Sequence, residues 1–213
     1  MKNPKKQDDR TAKVAALRAE QARRERRGLL LLVVAAVAVV ILAIIGATTA
    51  VILGARTERA AVEAAADQPI PDVKESTGLS ANHVQTTADP SSLPPLGGDH
   101  DPVWQNCGIY DEPVPVANAV HSLEHGAVWV SYHPDLPPSD VAALREAVEG
   151  ESYALLSPYP DLASPVVLTA WGVQLEVDNV DDDRIPTFLN KYLQGEQTPE
   201  PGASCRGGNG TPS

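Results

Sequence analysis

The chain has 213 residues and a formal net charge of −11 at pH 7. Residues 1–27 hold ten Lys or Arg and four Asp or Glu, whereas residues 28–213 hold seven of the 17 basic residues and 24 of the 28 acidic ones. Nucleic acid attracts basic surfaces, so the large acidic part is not expected to bind DNA or RNA. The short basic arm fits an anionic lipid surface better.

Residues 28–55 carry no charge and consist almost wholly of Leu, Val, Ile and Ala between Leu29 and Leu53. Roughly 20 apolar residues cross a bilayer as a helix, so the segment predicts one transmembrane helix in contact with membrane lipid. Basic residues beside a span stay in the cytoplasm. Residues 1–27 are therefore expected to form a basic cytoplasmic arm, with the C-terminal part outside the cell membrane. A cleaved signal peptide is the alternative, but its apolar region would span only about 7–15 residues, so a signal anchor is favoured.

The outer part divides by composition into three segments. Residues 56–76 predict a helical stalk and linker, because an Ala-rich stretch is followed by Pro69 and Pro71. Residues 77–206 predict one extracytoplasmic α+β domain, which begins with a long loop rich in Pro and Gly. Residues 207–213 predict a disordered tail.

Regular structure of the domain is predicted to begin near Asn118, a suitable N-cap for a short helix that Gly126 ends. Alternation then predicts a strand over 127–132, with Val128 and Val130 on one face. The further elements follow from apolar periodicity: helix 139–149, strand 153–156, either a strand pair over 166–171 and 173–177 or one strand bent at Gly172, and helix 181–194. Gln174 and Glu176 would form the wet face of the last strand.

The chain contains two cysteines, Cys107 and Cys205, both on the predicted outer side. An oxidising compartment favours a disulfide between them, which closes a long loop and would stabilise the fold by roughly 4–5 kcal/mol. The alternative is that Cys107 is a metal ligand or a redox thiol.

All five histidines lie between positions 83 and 133. His121 and His125 would share one helix face, with imidazoles about 6 Å apart, an arrangement that suits zinc or copper(II). His100, beside a glycine-rich turn, is the expected third ligand, and Glu124 would orient the histidines or act as a fourth ligand.

The other two histidines are weaker candidates for metal binding. His83 lies in a polar segment and is expected to be solvated. His133 precedes Pro134, which indicates a turn at the end of a strand.

Three other interpretations of this segment stay open. The histidines could be structural, bonded to backbone and to Glu124. The letters HSLEH also fit the inverted zinc-peptidase motif H-x-x-E-H, although a strand follows where a longer helix is required. A non-catalytic adaptor for a cell-envelope complex is the main alternative to metal binding, with Trp104, Trp129 and Trp171 as contact residues. An enzyme is the less favoured class.

Three segments carry a resemblance to a known family: WQNCGIYDEPV at 104–114, AVHSLEHGAVW at 119–129 and PEPGASC at 199–205. They resemble the bacterial family called domain of unknown function 3105, common in actinobacteria and usually membrane-anchored. Asp99 stands where a proline is expected. The resemblance covers roughly residues 80–206 and implies a single span and an extracytoplasmic domain, but no activity.

Overall fold

The computed structural model describes residues 4–85 and 93–213, which divide into two compact units at Glu58 and Arg59. The first element, helix α1, runs over Pro4–Ala66. Among the described side chains, Val39–Ala66 is long and apolar enough to cross a membrane, with a mean hydropathy of 2.2 in its most apolar window and none of that window buried in protein. One candidate transmembrane helix is thereby confirmed, whereas the limits 28–55 and the orientation remain predictions.

The second unit, Arg59–Ser213, contains the end of α1 and, within the described residues, a mixed six-stranded sheet and three further helices. The strands lie in the order β1-β6-β5-β3-β4-β2. β4 pairs in parallel with both β2 and β3. The other three pairs, β3 with β5, β5 with β6 and β6 with β1, are antiparallel. The elements are β1 Lys74–Glu75, β2 Gly108–Ile109, α2 Val116–Glu124, β3 Val128–Tyr132, α3 Pro138–Val148, β4 Ala154–Pro158, β5 Val166–Ala170, β6 Val173–Val177 and α4 Arg184–Tyr192. The predicted transmembrane helix followed by an α+β domain is confirmed.

The sheet is covered on both faces, because alternate side chains of its central strands enter two different apolar clusters. Val128 and Val130 of β3 join the cluster under α3 and α4, as the alternation predicted. Trp129 points to the opposite face and packs with Leu123 of α2. The candidate site lies on the α2 side of the sheet.

One sequence expectation for this sheet is wrong. Gln174 was expected on a wet face, but it is 1% exposed and its amide donates to Pro94 O and Thr169 Oγ1, because the loop before His100 covers that face. The predicted stalk and linker also contributes to the fold: β1 pairs with β6, and Ile70 is buried in the main core.

The C-terminal tail is held against the domain by a disulfide and by backbone hydrogen bonds. Cys107 and Cys205 are joined, with Cα atoms 5.4 Å apart, as predicted, so Cys107 is not a free metal ligand. The segment 207–213, expected to be disordered, is hydrogen-bonded: Asn209 N donates to Trp104 O, and Ser213 N donates to Ile109 O. A polar tail with little apolar surface is ordered here because its backbone groups find partners in the loop around Cys107.

Two of the three tryptophans proposed as contact residues are inside the domain. Trp129 is 0% exposed and Trp171 is 8% exposed, and both belong to the cluster on the α2 side. They stabilise the core rather than offering a surface to a partner.

Candidate metal centre

Helix α2 and its C-cap residue, His125, carry three of the candidate residues, and the helix is almost wholly buried. Its N-cap is Pro115, with no side-chain cap, while Asn118, the expected cap, donates to Val103 O. His121, Glu124 and His125 stand at i, i+3 and i+4, so they share one face of the last turn. Each is no more than 4% exposed, which places two imidazoles and a carboxylate out of reach of bulk water.

Two loop histidines are brought to this helix face by a short parallel bridge between His83 and His100. Val84 N donates to His100 O, and His100 N donates to Asn82 O. The His83 ring then stacks on His121, with centroids 4.6 Å apart and planes 19° apart. His100 is completely buried, and its ring centroid lies 4.8 Å from that of His121.

Four side chains converge on one small volume: one ligand atom from each of His83, His100, His121 and Glu124 lies within 4.8 Å of the other three. Glu124 Oε2 lies 3.0 Å from His100 Nε2, 3.4 Å from His83 Nε2 and 4.0 Å from His121 Nε2. A tetrahedral zinc ion with bonds of about 2.0–2.1 Å would place its ligand atoms about 3.3 Å apart. The cluster therefore has nearly the dimensions of such a site.

The tautomers of the three buried histidines follow from their outer nitrogens. Nδ1 of His100, His121 and His125 lies 2.7 Å from the carbonyl oxygens of Gly98, Asp101 and Ser204, respectively. A carbonyl accepts only, so each Nδ1 must carry the proton. A neutral ring of this tautomer has a bare lone pair at Nε2, and histidine ligands to metals are commonly oriented in this way.

In this tautomer the inward-facing Nε2 atoms have no proton to donate. His121 Nε2 and His125 Nε2 lie 3.0 Å apart, with one lone pair facing the other. Among the described residues, His100 Nε2 has no hydrogen-bond partner, even though Glu124 Oε2 is only 3.0 Å away, because a bare Nε2 and a carboxylate oxygen both only accept. A buried set of electron-pair donors of this kind is stabilised by a cation.

Protonation of His121 does not supply this stabilising cation at neutral pH. Burial lowers the pKa of His121 below its ordinary value of 6.5, and the neighbouring imidazoles of His125, His100 and His83 lower it further, against the hydrogen bond from Nδ1 to Asp101 O. The ring is thus predominantly neutral at pH 7, the form in which an imidazole binds metal.

The structure brings together some of the candidate ligands predicted from the sequence and adds one candidate that sequence reasoning missed. His100, His121 and Glu124 belong to the cluster of four, while His125 lies just outside it, beside His121. His83, expected to be only solvated, has a side chain that is 45% exposed but takes part in the cluster. The backbone bridge to His100 is what places His83 in the cluster. No sequence pattern predicts a single bridge between two loops. His133 pairs with Asp135 and takes no part in the cluster.

Gly126 ends α2 and allows the chain to turn directly under the site. Its φ is +96°, and a Cβ there would meet Gln194 Nε2 and lie 3.0 Å from Thr198 Cγ2. Gln194 N donates to Gly126 O, and the Gln194 amide donates to His125 O. Gly126 therefore joins the helix that carries the histidines to the segment before the tail.

We expect Gly126→Ala to destabilise the domain by about 3 kcal/mol, from a left-handed backbone and a steric conflict. Gly150→Ala is the matched control, because Gly150 has a φ of +85° and nothing lies within 4 Å of the position that its Cβ would take. The control should lose only about 1 kcal/mol. Urea unfolding followed by tryptophan fluorescence measures both. Equal losses would show that the contact with Gln194 does not restrict the site.

A family profile described as "Protein of unknown function (DUF3105)" matches residues 83–207. The match begins at His83 and includes all five histidines and both cysteines. No curated protein matches the chain, and no solved structure matches it.

Proposed function

Because the chain belongs to the family described as protein of unknown function (DUF3105), whose description carries no activity, we propose a function from the site itself. The α+β domain binds one transition-metal ion, zinc or copper(II), through His83, His100, His121 and Glu124. The observation that carries the proposal is the convergence of their ligand atoms within 4.8 Å, with Nδ1 of His100 and of His121 already engaged by a carbonyl.

Donor chemistry supports zinc or copper(II) over other ions. Imidazole suits both metals, whereas calcium and magnesium prefer sites made only of oxygen ligands. Copper(I) is disfavoured, because thioether and thiolate ligands select it, the one methionine is Met1, and both cysteines are in the disulfide.

The arrangement favours holding an ion over hydrolysing a substrate. Catalytic zinc sites keep a coordination position open for water, while closed sites use four protein ligands. Glu124 Oε2 lies among the ring nitrogens, the position of a ligand rather than of a base beside a bound water. Helix α2 also ends at Glu124, so the longer helix of the inverted peptidase motif is absent from this segment.

We place this domain on the outer side of the cell membrane, with residues 1–27 in the cytoplasm. Support comes from the apolar helix and from Arg23, Arg24, Arg26 and Arg27 immediately before the uncharged segment. The disulfide fits an oxidising compartment. The role that follows is handling of zinc or copper close to the membrane surface.

Metal titration of the full chain in detergent micelles tests the proposal. The full chain is needed because β1 and Ile70 lie upstream of the predicted domain and are part of its fold. After removal of metal with a chelator, we expect uptake of one zinc or copper(II) ion per chain at micromolar concentration or below, and no competition from millimolar magnesium. Failure to take up either transition metal at micromolar concentration would refute it.

A further inference from the structure

His125 has the geometry of a metal ligand but does not belong to the cluster of four. Its side chain is 5% exposed, its Nδ1 is engaged by Ser204 O, and its Nε2 lies 3.0 Å from His121 Nε2. The single lone pair of His121 Nε2 can point to one ion at a time. The group of ligand atoms that lie within 4.8 Å of one another does not include His125, so an ion held by His121 and His125 occupies a different position from an ion held by His121, His100 and Glu124.

A carboxylate from the tail stands on the solvent side of His125. Glu200 Oε2 lies 3.6 Å from His125 Nε2, and the Glu200 side chain is 52% exposed. The Glu200 backbone is anchored, since its N–H donates to Glu124 O at 3.1 Å. The exposed carboxylate is thus attached directly to the helix turn that carries the buried ligands.

The ring of Trp104 packs against the two histidines, with centroids 5.1 Å from His125 and 5.8 Å from His121. The donor groups follow one another from solvent to the interior. Glu200 comes first, followed by His125, His121, and finally Glu124 with His100. Successive steps measure 3.6 Å, 3.0 Å and 4.0 Å, short enough for an ion to contact two neighbours at once.

We propose that His125 and Glu200 form an outer position through which the metal ion enters and leaves, with His121 as the ligand shared by both positions. The inference rests on the proposed function. A hydrated ion exchanges two waters for Glu200 and His125, and a third water for His121. His100 and Glu124 next replace Glu200 and His125, and His83 replaces a remaining water, which completes the inner set of four. Each exchange releases one ligand for each that enters, without any change in oxidation state.

Glu200→Gln tests the outer position, because the side chain is exposed and the change keeps its size. In the full chain in detergent micelles, stopped-flow mixing with zinc, and release of zinc to an excess of a chromogenic chelator, give the two rate constants. We expect both to fall about tenfold, within the range that a local charge contributes to ion association, while the dissociation constant changes less than threefold. A slowing of both rates with unchanged affinity is the signature of a transfer position.

The matched control is Glu196→Gln, which removes the same charge from an exposed glutamate four residues before Glu200. Among the described residues, Glu196 forms no ion pair with the histidines of the cluster. The control should leave both rates unchanged, and equal slowing in the two variants would reduce the effect to surface charge and overturn the inference. Unchanged rates in Glu200→Gln would also overturn it, as would slowing in His83→Ala alone, which would place entry at the exposed side of His83. Absence of both zinc and copper(II) binding by the unaltered protein would instead refute the proposed function.

Discussion

Glu124→Gln is expected to weaken zinc or copper(II) binding by about 100-fold or more while leaving the metal-free domain as stable as the unaltered protein, or more stable. Loss of a charged ligand removes both a bond and the neutralising charge of the site. The new amide, in contrast, can place an N–H donor where Glu124 Oε2 stands, 3.0 Å from His100 Nε2. That nitrogen has no hydrogen-bond partner among the described residues. Metal affinity should therefore fall without any loss of stability in the metal-free domain.

The opposite outcome distinguishes a structural histidine cluster from a metal site. If His100 were protonated and paired with Glu124, the substitution would break a buried ion pair and cost about 3–5 kcal/mol of stability. Metal competition against a chelator of known affinity measures the metal affinity. Urea unfolding in excess chelator measures the stability of the metal-free domain. It is followed by the fluorescence of the three tryptophans, which all lie after Arg59. A destabilised variant with unchanged metal affinity would contradict the metal site.

Two controls accompany this experiment. Glu146→Gln changes an exposed glutamate of α3 and should alter neither quantity. His133→Ala removes the histidine that lies apart from the cluster and pairs with Asp135. Full metal affinity in His133→Ala would show that binding depends on position rather than on the number of histidines.

Replacement of both cysteines by serine is expected to lower the free energy of unfolding by about 4–5 kcal/mol, because the bond links residues 98 apart in sequence and restricts the unfolded chain accordingly. Metal affinity should fall as well. Cys205 directly follows Ser204, whose carbonyl holds the His125 ring, and the same tail carries Glu200.

Reduced and oxidised forms of the unaltered protein provide the matched comparison, since they differ only in the bond. Equal stability of the two forms would show that the hydrogen bonds of the tail to Trp104 and Ile109 hold it without the disulfide.

Labelling of whole cells with a thiol-reactive probe adds the test of location. A chain exported to an oxidising compartment has both cysteines protected, whereas free thiols on the newly made protein would contradict the proposed orientation.

The features that sequence alone determined are those written into short stretches of chain. An uncharged run of 28 residues ending at Ala55 can satisfy its backbone and its apolar side chains only as a membrane-crossing or buried helix. The spacing of His121, Glu124 and His125 places them on one face of any helix. Alternation assigned Val128 and Trp129 to opposite faces of β3, and the two core clusters confirm it.

Tertiary structure decided the contacts between loops, for which no periodicity exists. The bridge of His83 to His100, the burial of Gln174 under the loop at Pro94 and the docking of the tail on Trp104 each depend on where a distant segment closes. Local sequence sets which residues can share a helix face or strand face, because backbone geometry repeats every few residues. The fourth member of the cluster and the direction of each imidazole are set by carbonyl groups that only the folded chain brings within reach.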